Sequence, residues 1–476
     1  MATHPFAIIV DGVNSDANIL DDYSTASPTT PWVDPESVSL TQDATGEGGA
    51  LSFDVVQVKT PGGGPWWRTT SGGVYDNARV RFQVSGTTTF LGYITSISVE
   101  LAENGLGTRA SVTAAAASTF LDKIIVYKGR LVTGTKSDYT GNFLIGSGSS
   151  TDQANVTQLV AKADAAMAFS TGTSGRAANR LIVNTNTTPA YTGTAVAVGQ
   201  LLMVPGTLRA CLDTIREAAE AVDGEQRRYW VAPSGQINYA RLGTAVPTYA
   251  TAPFKIVTTS TFDPYGSSSA AATLQARNLS LTLDHDVIVK KARFVMNEVL
   301  SQYDAKVSGG VYTVKDPYGR VYDQADPNGA GMTTRNGPRP EILISVTPMP
   351  KRVSGSVQWS NKITDYGKKY FGTDAYPNRA APQRSITFSV RGADPTNNPY
   401  GFVKGYRQTA PSTFVLQDGW EAGQYVSIVA TPALDLSGLF RIESLTMSFE
   451  PGSMIRQYEM TCERVPRSPL KRFLQG

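Results

Sequence analysis

Few residues in this sequence combine the chemistry and the spacing of a catalytic or metal-binding site. The chain contains two histidines, His4 and His285, and two cysteines, Cys211 and Cys462, that lie far apart in sequence. A Ser-His-Asp or Cys-His arrangement therefore has little to draw on, and neither a disulfide framework nor a cysteine-based zinc site is expected. No nucleophile elbow, His-Glu-x-x-His pair, phosphate-binding loop or dinucleotide-binding glycine turn occurs. The sequence therefore favours a protein that is not an enzyme and holds no metal ion or cofactor.

The triplet Asp284-His285-Asp286 is the best candidate for a divalent-ion site, because carboxylate and imidazole groups together suit such an ion. In an extended strand, however, the two carboxylates point to one side and the imidazole to the other, so the three groups cannot converge. A polar turn between Leu283 and Val287 is the favoured interpretation.

Two segments could contact a partner through their side chains. Trp66 and Trp67 follow a glycine-rich stretch, and their indole rings could stack on a sugar or anchor a protein. The same rings could instead fold back onto the β-structure of the chain. Arg467, Lys471 and Arg472 could contact nucleic acid or an acidic neighbour, although a solvated terminus is the more usual reason for such a cluster.

Length and composition narrow the class of protein. The 476 residues suggest about three domains, and the charged share of 17% is typical of an ordered, turn-rich chain and not of a disordered one. A net charge of +3 disfavours a protein whose main task is to coat nucleic acid. Neither a signal peptide nor a membrane-spanning segment is expected, which favours a protein made and kept soluble in a cytoplasm.

The first 127 residues are predicted to be β-structure. A strand at 79–84 turns at Ser85-Gly86 into a longer strand, and a third strand covers 110–114. The apolar residues of the long strand are expected on one face: Leu91, Tyr93, Ile97, Val99 and Leu101. An apolar face of this kind requires closure into a barrel or a second layer, and a small barrel is the first choice.

The rest of the chain is predicted to form a mixed module and a second β-part. Within 128–255, a capping box at Ser150 and Gln153 should begin one helix, and a second should span about 207–222, followed by a hairpin through Gly235. Within 256–476, the many Pro and Gly residues of 301–382 predict a long loop. The predicted C-terminal strands are Ser385–Val390, Thr413–Leu416, Tyr425–Val429, Phe440–Phe449 and Tyr458–Cys462.

A weak internal duplication joins the two β-rich ends of the chain. When the sequence is shifted by 348 residues against itself, the N-terminal meander falls on the C-terminal strands without a gap. The matching positions are Val80 with Ile428, Ile94 with Ile442, Ser96 with Ser444, Ile97 with Leu445, Val99 with Met447, Leu101 with Phe449, Val112 with Met460 and Thr113 with Thr461. Two copies of one β-domain in a chain would let three chains form a pseudo-sixfold ring.

Several of these segments together resemble a known family, the baseplate or tail-tip hub proteins of long-tailed bacteriophages, often called minor tail proteins in phages of actinobacteria. Phe90–Ile97 is similar to the f-x-G-x-I-x-x-I strand of the family's first barrel, which Arg79–Phe82 precedes. A helix that opens at Thr207-Leu208 resembles the middle module. Gly423–Ile428 and Phe440–Leu445 resemble the last barrel.

The resemblance implies a structural virion protein, a homotrimer whose two tube-type barrels per chain form a pseudo-hexameric ring around the tail channel. Its expected neighbours are the distal tail protein ring, the tape measure protein, and a central fibre or other tip proteins, with phage DNA passing through the lumen. Independently of the resemblance, Arg467, Lys471 and Arg472 are candidate contacts to the tail, and Trp66 and Trp67 are candidate interface or glycan contacts. The expected location is the tail tip of a siphovirus, assembled in the host cytoplasm. Many relatives carry a peptidoglycan-cleaving domain after this hub module, to which the resemblance does not extend.

The predicted fold is mainly β with some α, with two tube-type antiparallel β-barrel domains separated by an α+β module and a long loop region. The domains are expected at 1–127, 128–255 and 256–476. Two other functions stay open at this point. One is a hexameric distal tail protein, which needs one barrel per chain. The other is a carbohydrate-binding or glycan-cleaving host-adsorption protein that uses Trp66 and Trp67.

Overall fold

The fold is mainly antiparallel β-structure with a few helices, as the sequence predicts. A computed structural model of the chain describes residues 6–10, 18–20, 32–44, 48–57, 79–84, 87–101, 107–127, 142–167, 189–223, 227–241, 254–257, 272–275, 277–284, 291–296, 305–308, 311–314, 324–325, 341–346, 383–391, 406–410, 413–416, 422–429, 438–449, 451 and 456–464. The N-terminal strands are β1 (Phe6–Val10), β2 (Asn18–Leu20), β3 (Trp32–Asp43), β4 (Gly49–Gln57), β5 (Arg79–Val84), β6 (Thr87–Leu101) and β7 (Thr108–Ala116).

A mixed α+β part and a C-terminal β-part follow. The middle elements are a 3-10 helix (Ala117–Lys123), β8 (Ile125–Val126), β9 (Phe143–Ile145), α1 (Asp152–Met167), β10 (Ala190–Thr192), β11 (Leu201–Met203), β12 (Gly206–Thr207), α2 (Leu208–Asp223), β13 (Arg227–Val231) and β14 (Ile237–Arg241). The later strands are β15 (Phe254–Val257), β16 (Ala272–Gln275), β17 (Arg277–Asp284), β18 (Lys291–Met296), β19 (Ala305–Ser308), β20 (Val311–Val314), β21 (Gln324–Ala325), β22 (Glu341–Val346), β23 (Gln383–Arg391), β24 (Tyr406–Ala410), β25 (Thr413–Leu416), β26 (Tyr425–Val429), β27 (Gly438–Phe449) and β28 (Arg456–Arg464).

The two ends of the chain share one sheet and one hydrophobic core. The N-terminal unit has the strand order β2-β1-β5-β6-β7-β4-β3, the C-terminal unit has the order β16-β15-β26-β27-β28-β23-β17, and β27 pairs with β3. The ring of Phe6 lies 5.0 Å from that of Phe449 and 5.9 Å from that of Phe82, centroid to centroid. Among the described strands, no pairing closes either unit into a separate barrel. The domain boundaries expected from the sequence stay a prediction.

The predicted meander of β5, β6 and β7 is confirmed, but its long strand does not keep one apolar face. The register shifts between Ile94 and Ser96, which makes Thr95 the extra residue of a β-bulge. A bulge moves the side-chain alternation by one residue, so Leu91 and Tyr93 turn away from the shared core and pack against Ala117. The expectation that Leu91 and Tyr93 share a face with Ile97, Val99 and Leu101 is therefore wrong.

The middle part contains both predicted helices and the predicted hairpin. The apolar sides of α1 and α2 pack against each other and against the short strands in a second core. The cap of α1 differs from the expectation, because Thr151 Oγ1 accepts the hydrogen bond from Ala154 N at 3.2 Å. Ser150 instead caps the preceding turn at Ser147, and Gln153 donates to Gly193 O.

A buried ion pair joins α1 to β13. Arg227 Nε donates to Asp152 Oδ2 at 2.8 Å, and both side chains are almost completely buried. Val196 N donates to the other oxygen of Asp152 at 2.8 Å, and the hydroxyl of Tyr239 donates to Oδ2 at 3.2 Å. Burial also raises the pKa of Tyr239 above its ordinary value, so its hydroxyl keeps the donating proton. The Asp152 carboxylate therefore joins α1, β13, β14 and the segment between β10 and β11.

The long loop expected over 301–382 is wrong for several of the residues that the structure describes there. β19 and β20 form a hairpin, β22 lies parallel to β18, and β21 pairs with the other side of β18. The Pro and Gly residues of this region separate short strands, because a breaker ends a strand without excluding the next one. No helix in the described part of the chain has the length and apolarity that crossing a membrane requires.

Candidate assembly interface

Eight strands of the sheet form a continuous antiparallel row that contains the same four-strand unit twice. The row runs β17-β23-β28-β27 and then β3-β4-β7-β6. In each half, the last two strands named are the long hairpin that the sequence duplication concerns. The row therefore ends in β17 on one side and in β6 on the other.

The hairpins of the two halves have the same pairing register, including the bulge. The pairs around the extra residue are Ile94–Ala114 and Ser96–Thr113 in the first hairpin, and Ile442–Cys462 and Ser444–Thr461 in the second. Thr95 and Glu443 are thus the extra residues, and every position in one hairpin differs by 348 from its counterpart. The offset found in the sequence therefore reproduces the pairing of strands as well as the apolar pattern.

A second repeat, which the sequence analysis missed, relates β3 to β17. Both strands contain Ser-Leu-Thr-x-Asp, at Ser39–Asp43 and at Ser280–Asp284. Leu40 pairs with Leu51 in β4, and Leu281 pairs with Ile386 in β23, so the two segments hold equivalent places. The offset here is 241 residues, so a comparison at a single offset cannot find it, whereas the shared five-residue pattern could have revealed it.

One pair of the predicted duplication is out of register. Val80 pairs with Gly92 in β6, whereas the residue that pairs with Phe440 in β27 is Val426. Val80 therefore corresponds to Val426 and not to Ile428. A slip of two residues keeps the same face, which is why the apolar pattern alone did not expose it.

The seam between the halves is the pairing of β27 with β3. Leu40 lies opposite Met447, and both side chains belong to the shared core. At the end of the seam, Ala44 N donates to the carbonyl oxygen of Glu443 at 2.7 Å. The Glu443 carboxylate also accepts two hydrogen bonds from Arg441, at 2.7 and 2.9 Å. The bulge thus supplies both a backbone acceptor and a paired carboxylate at the seam.

Arg228 of the middle part reaches the same seam. Its Nη1 donates to Ala44 O at 2.7 Å, and its guanidinium lies 4.1 Å from the ring centroid of Trp230. Gly423, just before β26, has a φ of +92°, and a Cβ there would lie 2.2 Å from Nη1 of Arg228. One guanidinium therefore contacts all three parts of the chain.

We expect Gly423→Ala to lower the free energy of unfolding by about 1–3 kcal/mol, because the new methyl group requires a strained backbone and displaces Arg228. Urea unfolding followed by tryptophan fluorescence measures this change. The matched control is Gly438→Ala, where a Cβ would lie 3.5 Å from the nearest atom, so a change within about 0.5 kcal/mol is expected. Equal effects of the two substitutions would contradict the account of the seam.

Both ends of the row are sheet edges in the described part of the chain. Among the described strands, β6 pairs only with β7 beyond its bulge, and β17 pairs only with β23. Large apolar side chains are exposed here: Val99 by 40%, Leu101 by 77% and Leu283 by 44%. In the repeat, Val99 corresponds to Met447 and Leu101 to Phe449. Met447 and Phe449 are only 2% and 3% exposed, because β3 lies beside them. The β6 edge therefore exposes apolar side chains at positions whose equivalents are buried at the seam.

The face of the row that points away from the core is rich in small hydroxyl side chains. These exposed or half-buried residues are Ser39, Thr41, Ser52, Ser96, Ser98, Ser111, Thr113, Ser280, Thr282, Ser385, Thr387, Ser444, Thr446, Ser448 and Thr461. A shallow depression of about 500 Å³ on this face contains Arg109, whose guanidinium bonds to Asp54 at 2.7 Å and Asp34 at 3.1 Å. The face is thus mostly polar, and the carboxylates of Asp34 and Asp54 are paired with Arg109.

Most residues that the sequence proposed as sites lie outside the described residues. This holds for Trp66, Trp67, Arg467, Lys471 and Arg472, so the glycan and tail contacts assigned to them stay predictions. The same is true of His285 and Asp286, and the described residues contain no group of side chains that could hold a metal ion.

Comparisons with known proteins agree with this fold. No protein-family model matches the chain, and no curated protein matches its sequence. The 43 kDa tail protein of prophage MuSo2 from Shewanella oneidensis has a TM-score of 0.49 and 11% identity, over 96% of this chain and 98% of that one. Prophage tail protein gp18 from Listeria monocytogenes EGD-e has a TM-score of 0.47 and 11% identity, over 99% and 100%. The tail protein from Neisseria meningitidis MC58 has a TM-score of 0.51 and 12% identity, over 97% of both chains, so this chain shares the fold of that protein along almost its whole length.

Proposed function

We propose that this chain is a structural bacteriophage tail protein and not an enzyme, and that it forms the trimeric hub at the tail tip. The observation that carries the proposal is the eight-strand row with two copies of one unit and an edge at each end. The fold shared with the N. meningitidis tail protein supports the same class of function.

The geometry of the row leads to a ring. Its two ends, β6 and β17, are different surfaces, so contacts between copies are head-to-tail, and such contacts close into a ring when the rotation allows it. Three copies would supply six four-strand units and a barrel of about 24 strands. Barrels of about 16–18 strands already leave an aqueous channel. A trimer of this chain is therefore wide enough to surround a tail channel.

Because this ring combines pseudo-sixfold with true threefold symmetry, the hub can join a sixfold structure to a threefold one. Six similar units match a hexameric distal tail ring above, while the true threefold symmetry matches a fibre or other tip proteins below. The hydroxyl-rich face would line the channel, next to the end of the tape measure protein and the passing DNA. The protein would be assembled in the host cytoplasm and remain in the virion. The alternative of a hexameric distal tail protein needs one unit per chain, and this chain contains two.

The mass of the purified full-length protein tests the proposal. Native mass spectrometry and sedimentation are expected to give three times the chain mass of 50.9 kDa. Averaged electron-microscope images along the axis should show a ring with an open centre. A stable monomer at micromolar concentration, or a true hexamer, would contradict the trimeric hub.

A further inference from the structure

The seam inside the chain predicts how two copies meet. In the seam, Ser444 to Ser448 of β27 lie opposite Asp43 to Ser39 of β3. Residues 444–448 of β27 correspond to residues 96–100 of β6, because the hairpins repeat at an offset of 348. Residues 43–39 of β3 correspond to residues 284–280 of β17, because these strands repeat at an offset of 241. These are the edge segments at the two ends of the row.

We propose that residues 96–100 of β6 in one copy pair antiparallel with residues 280–284 of β17 in a second copy, in the register that β27 and β3 have within the chain. The inference rests on the proposed ring and adds to it the contact surface, the partner and the register. The pairs would be Ser96 with Asp284, Ile97 with Leu283, Ser98 with Thr282, Val99 with Leu281 and Glu100 with Ser280.

The side chains of the two edges fit this register on both faces. On the polar face, the proposed pair Ser96–Asp284 has the same residue types as the Ser444–Asp43 pair of the seam. The proposed pair Ser98–Thr282 is equivalent to the Thr446–Thr41 pair of the seam. No two like charges lie opposite each other, which would destabilise adjacent strands. The third polar pair places Glu100 beside a serine.

The apolar face explains the exposed side chains. Val99 would lie opposite Leu281, as Met447 lies opposite Leu40 in the core of the chain. Ile97 and Leu283 would form the next pair, and Leu101 would reach Leu279, which packs against the core. Pairing would thus remove from water the exposed apolar residues Val99, Leu101 and Leu283, which an isolated edge leaves open.

A second copy is the occupant that these edges favour. Each edge is complementary to the other edge of the same chain, and the chain already contains one realised example of the contact. An unrelated strand would need the same alternation of hydroxyl and apolar residues in the same register.

Engineered disulfides test the register. In the double variant S98C/T282C, the two thiols of neighbouring copies would be directly opposite, where the Cα distance of paired strands allows a disulfide. Both are exposed in one copy. The native cysteines do not interfere, because both are buried, and burial raises the pKa of Cys211 to about 11 and that of Cys462 well above its ordinary value. We expect mild oxidation to give a ladder on a non-reducing gel that ends at a covalent trimer.

The controls separate the register from the ring itself. S96C/S280C is shifted by four residues from the proposed pairing and should give at least tenfold less cross-linked product, whereas E100C/S280C is in register and should cross-link. A mixture of the S98C and T282C single variants should stop at dimers. If the wild-type trimer forms but both in-register pairs fail, or the shifted pair cross-links equally, the register is wrong and the hub remains. If the wild-type protein is a monomer, both proposals fail.

Discussion

Asp152→Ala is expected to lower the free energy of unfolding of the middle part by about 3–5 kcal/mol, the largest single effect that we foresee. The substitution removes the buried carboxylate that Arg227 Nε binds, and it also removes the acceptor of Val196 N and of the Tyr239 hydroxyl. Removing one member of a buried ion pair is costly, because the charge that remains is held away from water. Urea unfolding gives the size of the change, and amide hydrogen exchange in α1 and α2 shows whether it falls in the middle part.

Two further variants separate charge burial from the simple loss of an ion pair. Asp122→Ala also removes a carboxylate from an arginine, Arg209, at 2.8 Å, but the Asp122 side chain is 48% exposed, so a loss below about 1 kcal/mol is expected. The double variant D152A/R227M removes both charges, and it should be more stable than D152A alone. A double variant that is equally or less stable would mean that packing and hydrogen bonds, and not the buried charge of Arg227, dominate.

Local patterns in the sequence were sufficient for most individual elements. The helical spacing of apolar residues predicted the helix that begins at Leu208, and Thr207 Oγ1 accepts from Ala210 N as a cap. The Pro233-Ser234-Gly235 turn predicted the hairpin of β13 and β14, and Gly235 has the positive φ of +82° that such a turn favours. These features depend on interactions between residues that are neighbours in sequence, so they can be predicted from the local sequence.

Long-range pairing and irregular geometry were harder to predict. The seam joins segments just over 400 residues apart, and nothing local in β3 or β27 identifies its partner strand. The bulge does leave a signal: two core-facing residues stand three apart at Ile94 and Ile97, and again at Ile442 and Leu445, where simple alternation would place them two or four apart. This three-residue spacing places Leu91 and Tyr93 on the opposite face from Ile97.

The sequence predicted the repeated hairpins of the candidate interface but not the repeated strands that flank them. The hairpins match at one offset because the segments between their strands are equally long, whereas the strands that flank them match at offsets of 241 and 335 because the intervening segments differ in length. The exposure of Val99 and Leu283 could not be foreseen from sequence, since the alternation of an edge strand is the same as that of a paired one.

Met447→Ala and Val99→Ala are expected to affect different properties, although the two residues hold equivalent places in the repeat. Met447 is buried opposite Leu40 at the seam, so its truncation should lower the free energy of unfolding by about 2–5 kcal/mol. Val99 is 40% exposed in one copy, so V99A should change the stability of the monomer by no more than about 0.5 kcal/mol. Urea unfolding at a dilution where the protein is monomeric measures both values.

In contrast to its small effect on the stability of the monomer, V99A should weaken the assembly of the trimer. V99A removes apolar contact area at each of the three junctions of the ring, and about 1.4 kcal/mol per junction would raise the monomer–trimer dissociation constant about 1,000-fold. The concentration at which the trimer dissociates varies as the square root of that constant, so it would rise about thirtyfold. Sedimentation over a dilution series measures that concentration, with Thr157→Ala in α1, which belongs to neither edge strand, as a control that should leave it unchanged. If V99A destabilised the monomer as much as M447A while leaving assembly intact, the β6 edge would belong to the fold of one copy, and the equivalence between seam and junction would be lost.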